Sequence, residues 1–257
     1  MYPKLLHIFG PIWIHSYGTM IAVGFLFFVY FLYKNPKRIQ LISDEKFLNL
    51  LFIGLTSGII GGRLIFVIYD WELFRDNFWQ VFYPWVGGFG ILGSVIGVLF
   101  SCYIFLKKNK INFLKIFDLV GVYAALLEGF GRIGCFLAGC CYGKIADASC
   151  TCSVVFKNPE GLAPLNIPLH PTQLYSSLAS FLIFLIIYFR SKYFSYKNGE
   201  IIFSYLLLFS LSRIIIDFFR GDRDFVNNFY LLSYYQLIAI VVFIVSLISI
   251  IYIRIKK

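Results

Sequence analysis

Charge is scarce in this sequence. Only 14% of its 257 residues are Asp, Glu, Lys or Arg, and 60% are hydrophobic. A soluble domain of this size carries about 25% charged residues, so the shortage excludes a soluble domain anywhere along the chain. The short stretch 1–10 has no small-residue cleavage site, and the apolar run after it is expected to stay as a helix. Repeats, low-complexity tracts and flexible linkers are also missing, which leaves a single membrane domain over 1–257 as the expectation. The net charge of +10 comes from basic residues scattered at segment ends, with no patch among them. That distribution excludes a nucleic-acid partner and fits topology determinants and contacts with anionic lipid.

Hydrophobic length is what the chain has in abundance. Runs of roughly 20 apolar residues, enough to cross a bilayer, recur throughout, and the mean hydropathy is +0.79. Helices are expected at about 11–33, 47–69, 86–106, 116–139, 171–189, 201–219 and 230–253. The fold class is therefore an all-α integral membrane protein with seven transmembrane helices, its two ends on opposite sides. Of the 23 Lys and Arg residues, fourteen fall in 34–46, 107–115, 190–197 and 254–257, and six in the alternate connections. The remaining three, Arg63, Arg132 and Arg213, lie within helices. The positive-inside bias then places the N-terminus outside and the C-terminus in the cytoplasm. The connection at about 140–170, rich in Cys, Pro and small residues, is expected to form a structured extracytoplasmic cap. Gly54, Gly58 and Gly62 on the second helix, with Gly93 and Gly97 on the third, read as packing seams.

Ionisable groups at bilayer depth cost at least about 2.5–3.5 kcal/mol each on insertion scales, so each needs a reason. The fourth helix carries Glu128 and Arg132, with Cys135 further along the same face; the sixth carries Arg213, Asp217 and Arg220; the second carries Arg63. With the expected orientation these groups share one depth in the outer half of the membrane, which Tyr17 and His170 also reach. Glu128–Arg132 and Arg213–Asp217 have the spacing of internal helical ion pairs. Such pairs do not absorb every charge, because four arginines face two carboxylates. Surplus guanidinium calls for an anion, and Arg is shaped for phosphate. In a membrane the abundant phosphate is a phospholipid headgroup.

Six segments carry a family resemblance: IHSYGTMIAVGF (14–25), GGR (61–63), WVGGFG (85–90), GFGRIGCFLAGCCYG (129–143), HPTQLY (170–175) and SRIIIDFFR (212–220). In this order they resemble the prolipoprotein diacylglyceryl transferases, enzymes of the bacterial inner membrane, over nearly the whole chain. The resemblance implies seven helices with an outside N-terminus. It also implies transfer of the diacylglyceryl group of phosphatidylglycerol to the lipobox cysteine thiol of a prolipoprotein signal-peptide segment, at the outer face of the membrane. Carried over by position, Arg132 and Arg213 match the family's essential arginines, Tyr17 the tyrosine of its first helix, Gly143 the last glycine of its signature and Asp217 a glutamate. Cys135 and Cys140 stand where the family has Asn and Glu, Ala138 at a second Asn, and Leu92 at a histidine proposed as a base. Catalytic roles are expected for Arg132, Arg213, Tyr17, Asp217, Cys135 and Cys140. Substrate contacts are expected from Arg63, Glu128, Gly143, His170, Gln173, Tyr175 and Arg220. No cofactor is called for, and a monomer is expected.

Five of the six cysteines, Cys135, Cys140, Cys141, Cys150 and Cys152, lie within 18 residues of one another. On an outer face, one or two disulfides are an expected outcome. Their spacing, even with His170, matches no familiar zinc pattern, so no metal site is expected. Alternatively, Cys135 and Cys140 belong to the site, where a nearby cation would favour the thiolate. Two other functions remain open on this scaffold: a membrane thiol-redox protein, and a non-catalytic lipid-binding paralogue.

Overall fold

The computed structural model describes residues 2–9, 12–83, 88, 90–147, 150–223, 225–226 and 229–256. Much of the WVGGFG segment, Trp85 to Gly87 and Phe89, lies outside the described residues. The elements run β1 (Lys4–Phe9), β2 (Ile12–His15), α1 (Ser16–Lys34), α2 (Pro36–Leu41), α3 (Asp44–Tyr69), α4 (Ile91–Lys108) and α5 (Phe113–Ala138). They continue with β3 (Val154–Val155), β4 (Pro168–Leu169), α6 (Thr172–Tyr193), α7 (Glu200–Asp217), β5 (Phe225–Val226), β6 (Phe229–Ser233) and α8 (Tyr234–Ile255). The strands form three antiparallel pairs, β1–β2, β3–β4 and β5–β6.

Among the described residues, five helices are long and apolar enough to cross a membrane: α1, α3, α4, α6 and α8. The long helices α5 and α7 differ in carrying the ionisable groups Glu128, Arg132, Arg213 and Asp217. Burial is inverted relative to a water-soluble protein. Asp217 and Gln236 are fully buried and Gln173 is 1% exposed, whereas Ile68 is 68% and Val241 60% exposed. In water that arrangement would expose apolar surface and bury polar groups, each at a cost. It suits lipid, and the chain is a multi-pass membrane protein.

Three expected helix starts move by four or five residues, one of them the third helix, which begins at Ile91 rather than near 86. The first helix begins at Ser16, because the alternating segment 12–15 pairs with β1 as a strand. The last begins at Tyr234, where the Ser233 hydroxyl accepts from the Gln236 N–H and the Gln236 side chain accepts from the Ser233 N–H. This reciprocal capping box satisfies two of the donors that every helix start leaves open. It sets the boundary more sharply than hydropathy can.

The chain divides into two compact units, residues 35–116 and residues 1–34 with 117–257. In the first unit α3 and α4 meet along their small residues. A Cβ at Gly93 would collide with the Gly61 carbonyl oxygen, and one at Gly97 would lie 2.6 Å from the Ser57 oxygen. Ser101 donates to the Ser57 hydroxyl at 2.7 Å across the same seam. Without a hydrophobic drive between helices in lipid, such close backbone approach and polar glue supply the packing.

In the second unit α1 runs antiparallel to α5. Tyr17 lies against Gly134, Gly24 against Phe130, and Phe31 stacks on Tyr123. The Ser177 hydroxyl of α6 donates to the Gly129 carbonyl of α5 at 2.9 Å. Asp118 of α5 accepts from the N–H groups of Gly199 and Ile202 at 2.6 and 2.9 Å, closing the start of α7. Glu200 on α7 then receives Arg190 of α6 and Arg254 of α8 at 2.6 and 2.7 Å. One carboxylate thus joins three helices.

The α3–α4 seam makes a direct prediction. Gly93→Ala forces a methyl into backbone and should cost about 1–3 kcal/mol, as overpacking does. Gly54→Ala, whose nearest new contact is the Cys102 sulfur at 3.6 Å, should cost less. Unfolding midpoints of the two variants in detergent would measure the difference; equal midpoints would refute a steric seam.

Candidate functional site

The site lies in the second unit, where the end of α5 and the chain after it meet the starts of α6 and α8 and the end of α7. It is held by a small backbone mesh. Gly143 N–H donates to the His170 carbonyl (3.1 Å), His170 N–H to Lys144 (3.0 Å), Lys144 N–H to Phe219 (2.8 Å) and Gly221 N–H to Tyr142 (3.0 Å). Three segments distant in sequence are thereby fixed against each other. Gly143 is required by this closeness, since a Cβ there would strike the His170 carbonyl oxygen. Behind the mesh, Phe156, Ala163 and Leu169 form a buried cluster packed by Phe136, Tyr142, Val154 and Ile167.

The polar start of α6 grips the end of α5. Thr172 Oγ1 donates to the Cys141 carbonyl at 2.8 Å, and Gln173 Nε2 to the Cys140 carbonyl at 2.7 Å. His170 Nδ1 lies 3.3 Å from the Tyr175 hydroxyl, and its ring packs at 5.5 Å from that of Phe219. The HPTQLY segment therefore acts here mainly as a clamp on backbone. Tyr17, 46% exposed at the start of α1, lies within electrostatic reach of Cys135, Cys140, Cys141 and Arg132.

Three arginines define the electrostatics. Arg132 donates through Nε and Nη2 to Glu128 Oε1 at 3.1 and 2.9 Å. Arg220 forms a fork on Asp222 at 2.9 and 2.8 Å. Arg213 has only a loose ion pair, 3.9 Å to Asp217 Oδ1, and among the described residues it makes no hydrogen bond. It stands within electrostatic reach of both Arg132 and Arg220, and both Arg213 and Arg220 lie over the Tyr235 ring at 5.4 and 5.6 Å. A guanidinium that is 14% exposed, with donors uncommitted and two like charges beside it, is prepared for an anion.

Asp217 anchors this group. Its Oδ2 accepts from the Ser233 hydroxyl at 2.5 Å and lies 3.4 Å from Arg223 Nε, while Oδ1 has no hydrogen-bond partner among the described residues. Arg223 also donates to Gln236 Oε1 at 2.7 Å, and Gln236 Nε2 to the Ile214 carbonyl at 3.2 Å. Arg223, Ser233 and Gln236 were not among the residues expected from sequence. Arg223 continues the spacing of Arg213, Asp217 and Arg220, and Ser233 with Gln236 has the capping-box pattern; both signals were there to be read.

Arg63 is placed differently. It belongs to the first unit, where it donates to the carbonyls of Val81 (2.8 Å), Gln80 (2.8 Å), Tyr83 (3.0 Å) and Gly88 (3.3 Å). Its guanidinium organises the backbone that follows α3.

The six cysteines are free, so no disulfide forms among them. The sulfur atoms of Cys135, Cys140 and Cys141 lie within 4.8 Å of one another. The three thiols interact with one another, and Arg132 and Arg220 lie within electrostatic reach of them. Cys141 was not expected in the site. The family correspondence points only to its neighbour Cys140, and the turn that directs both inward is a tertiary feature.

The anchoring role of Asp217 is testable. Removing one partner of a buried ion pair leaves the other charge uncompensated, so Asp217→Asn should cost about 3–5 kcal/mol. Thermal unfolding in detergent would register the loss, and an unchanged midpoint would show that Arg223 does not depend on this carboxylate.

A model of the family described as prolipoprotein diacylglyceryl transferase matches residues 3–252. Among curated relatives, the phosphatidylglycerol–prolipoprotein diacylglyceryl transferase of Clostridium tetani is 39% identical over 248 residues, covering 96% of each chain. The protein named as the second such transferase of Clostridium perfringens is 34% identical, covering 90% of this chain and 88% of its own. The corresponding transferase of Clostridioides difficile is 31% identical, covering 80% of this chain and 78% of its own. With a match of this extent, the chain belongs to the prolipoprotein diacylglyceryl transferase family.

Proposed function

We propose that this protein transfers the diacylglyceryl group of phosphatidylglycerol to the lipobox cysteine thiol of a prolipoprotein, at the outer face of the bacterial inner membrane. The observation that carries this reading is Arg213, whose donors are uncommitted among the described residues and which stands between Arg132 and Arg220. The relatives' names supply the substrates.

The reaction needs what such a group offers. The acceptor thiol gives its proton to water, and its sulfur attacks the terminal glyceryl carbon of the lipid. The bond from that carbon to the phosphate oxygen breaks, and its electron pair leaves with glycerol phosphate. A phosphodiester with one negative charge becomes a monoester with more, and preorganised cations hold that growing charge better than water does. Arg213 and Arg132 are assigned to the phosphate, with Arg220 adding charge behind them. Asp217 orients Arg213, Glu128 orients Arg132, and Tyr17, Cys135 and Cys140 border the reacting thiol. Gly143, His170, Gln173 and Tyr175 hold the frame on which the headgroup rests. Arg63 shapes the backbone after α3. The thioether product leaves no need for a cofactor.

The reading includes a topology: one membrane domain with seven spans, α5 and α7 among them, the N-terminus outside and the C-terminus cytoplasmic. It places 140–170 outside and 107–115 inside. Cysteines introduced at Lys108 and Lys157, in a background without the native exposed Cys152, should react with a membrane-impermeant maleimide only at 157 in intact cells. Labelling at 108 instead would overturn the orientation.

Activity is tested with purified protein, phosphatidylglycerol and a lipoprotein signal peptide, by mass spectrometry of the peptide. Arg132→Ala and Arg213→Ala should each lower the rate by about 10²–10³, the usual effect of losing one preorganised donor. Arg213→Lys should recover little, because a point charge replaces a fork. Full activity in both alanine variants would reduce these arginines to structural partners, and no thioether with the wild-type chain would overturn the transferase reading itself.

A further inference from the structure

The three clustered cysteines are held by more than chance proximity. Cys135 is buried on the last turns of α5. Gly139 then turns the chain with φ +75°, and Cys141 adopts φ +56°. That left-handed conformation is uncommon for a residue with a side chain and costs about 1–3 kcal/mol where it persists. It persists because the surroundings impose it. Cys140 N–H donates to the Cys135 carbonyl at 3.1 Å, and Gln173 and Thr172 hold the carbonyls of Cys140 and Cys141. The outcome of this constraint is three thiols from one chain segment with their sulfur atoms within 4.8 Å of one another and no disulfide among them.

We propose that Cys135, Cys140 and Cys141 form a binding site for one thiophilic divalent d¹⁰ cation, of the zinc and cadmium class. Zinc–thiolate bonds of about 2.3 Å in tetrahedral geometry set sulfur separations near 3.8 Å. The cluster therefore needs to contract by at most about 1 Å, which side-chain rotation supplies. Soft thiolates select soft cations over magnesium or calcium. Binding releases three protons: one divalent ion and three thiols give a trithiolate complex of net charge −1. Ordinarily such a complex is unwelcome at membrane depth. Here Arg132 and Arg220 act on the cluster from nearby, and their positive charge opposes the single negative charge of the complex. The fourth position stays open to water.

Binding does not depend on the transfer reaction, and its test reads the metal directly. Tag-free protein, reduced with a non-thiol reagent, is titrated with cadmium and followed by the thiolate-to-cadmium charge-transfer band. One ion per chain is expected. Cys135→Ser, Cys140→Ser and Cys141→Ser should each weaken binding at least about tenfold, since even partners outside the ligand set cost 10–100-fold. Cys102→Ser and Cys152→Ser should leave it unchanged. A wild-type experiment guards against misfolded variants: cadmium should protect Cys135, Cys140 and Cys141, and not Cys152, from alkylation mapped by mass spectrometry. A band that survives in the triple serine variant, or protection that falls instead on Cys150 and Cys152, would overturn the site.

Discussion

An arginine enclosed by helices that face lipid has no water to fall back on; each of its donors must meet an acceptor in the fold or a ligand brought to it. This requirement organises most of what is polar in the protein. Arg63 meets four backbone carbonyls and Arg220 a bidentate carboxylate, while Arg132 meets Glu128 one turn back on its own helix. Arg223 closes on Asp217 and Gln236. Once these are matched, Arg213 is left with a loose pair, and its position between two other cations becomes the feature that chemistry can use. The site is thus defined by subtraction, as the place where internal pairing stops short.

The frame around that place is made of backbone. Residues 142–144, 168–170 and 219–221 hydrogen-bond across one another, and Thr172 and Gln173 extend the hold to the end of α5. Backbone is suited to this task because its geometry leaves little freedom, and catalytic groups need positions held to fractions of an ångström. Gly143 and Gly221 sit where the strands approach too closely for any side chain. The glycines of the α3–α4 seam do the same work for helix packing in the other unit.

The arginine group and the cysteine cluster have different consequences. On the proposed function the arginines serve a phosphate-bearing lipid, and the HPTQLY segment clamps the backbone beside them. Cys135, Cys140 and Cys141 make their corner of the site a soft, polarisable surface. Thiols are poor hydrogen-bond donors, so this corner offers few strong polar contacts and, under the proposal above, soft ligands for a thiophilic ion.

Composition alone determined the solvent of this protein: 14% charge cannot coat a soluble domain, and apolar runs cannot face water. The helical spacing of Glu128 with Arg132 and of Arg213 with Asp217 was likewise legible, because partners four residues apart are neighbours on any helix. Three things were decided only by the tertiary structure. The start of α1 depends on the pairing of 12–15 with β1, which local hydropathy does not register. Which arginine keeps its donors free depends on who reaches Asp217 first, and the answer came from Arg223 and Ser233, 6 and 16 residues away in sequence. The gathering of Cys135, Cys140 and Cys141 required a left-handed turn held from α6, a long-range contact that no spacing within residues 135–141 encodes.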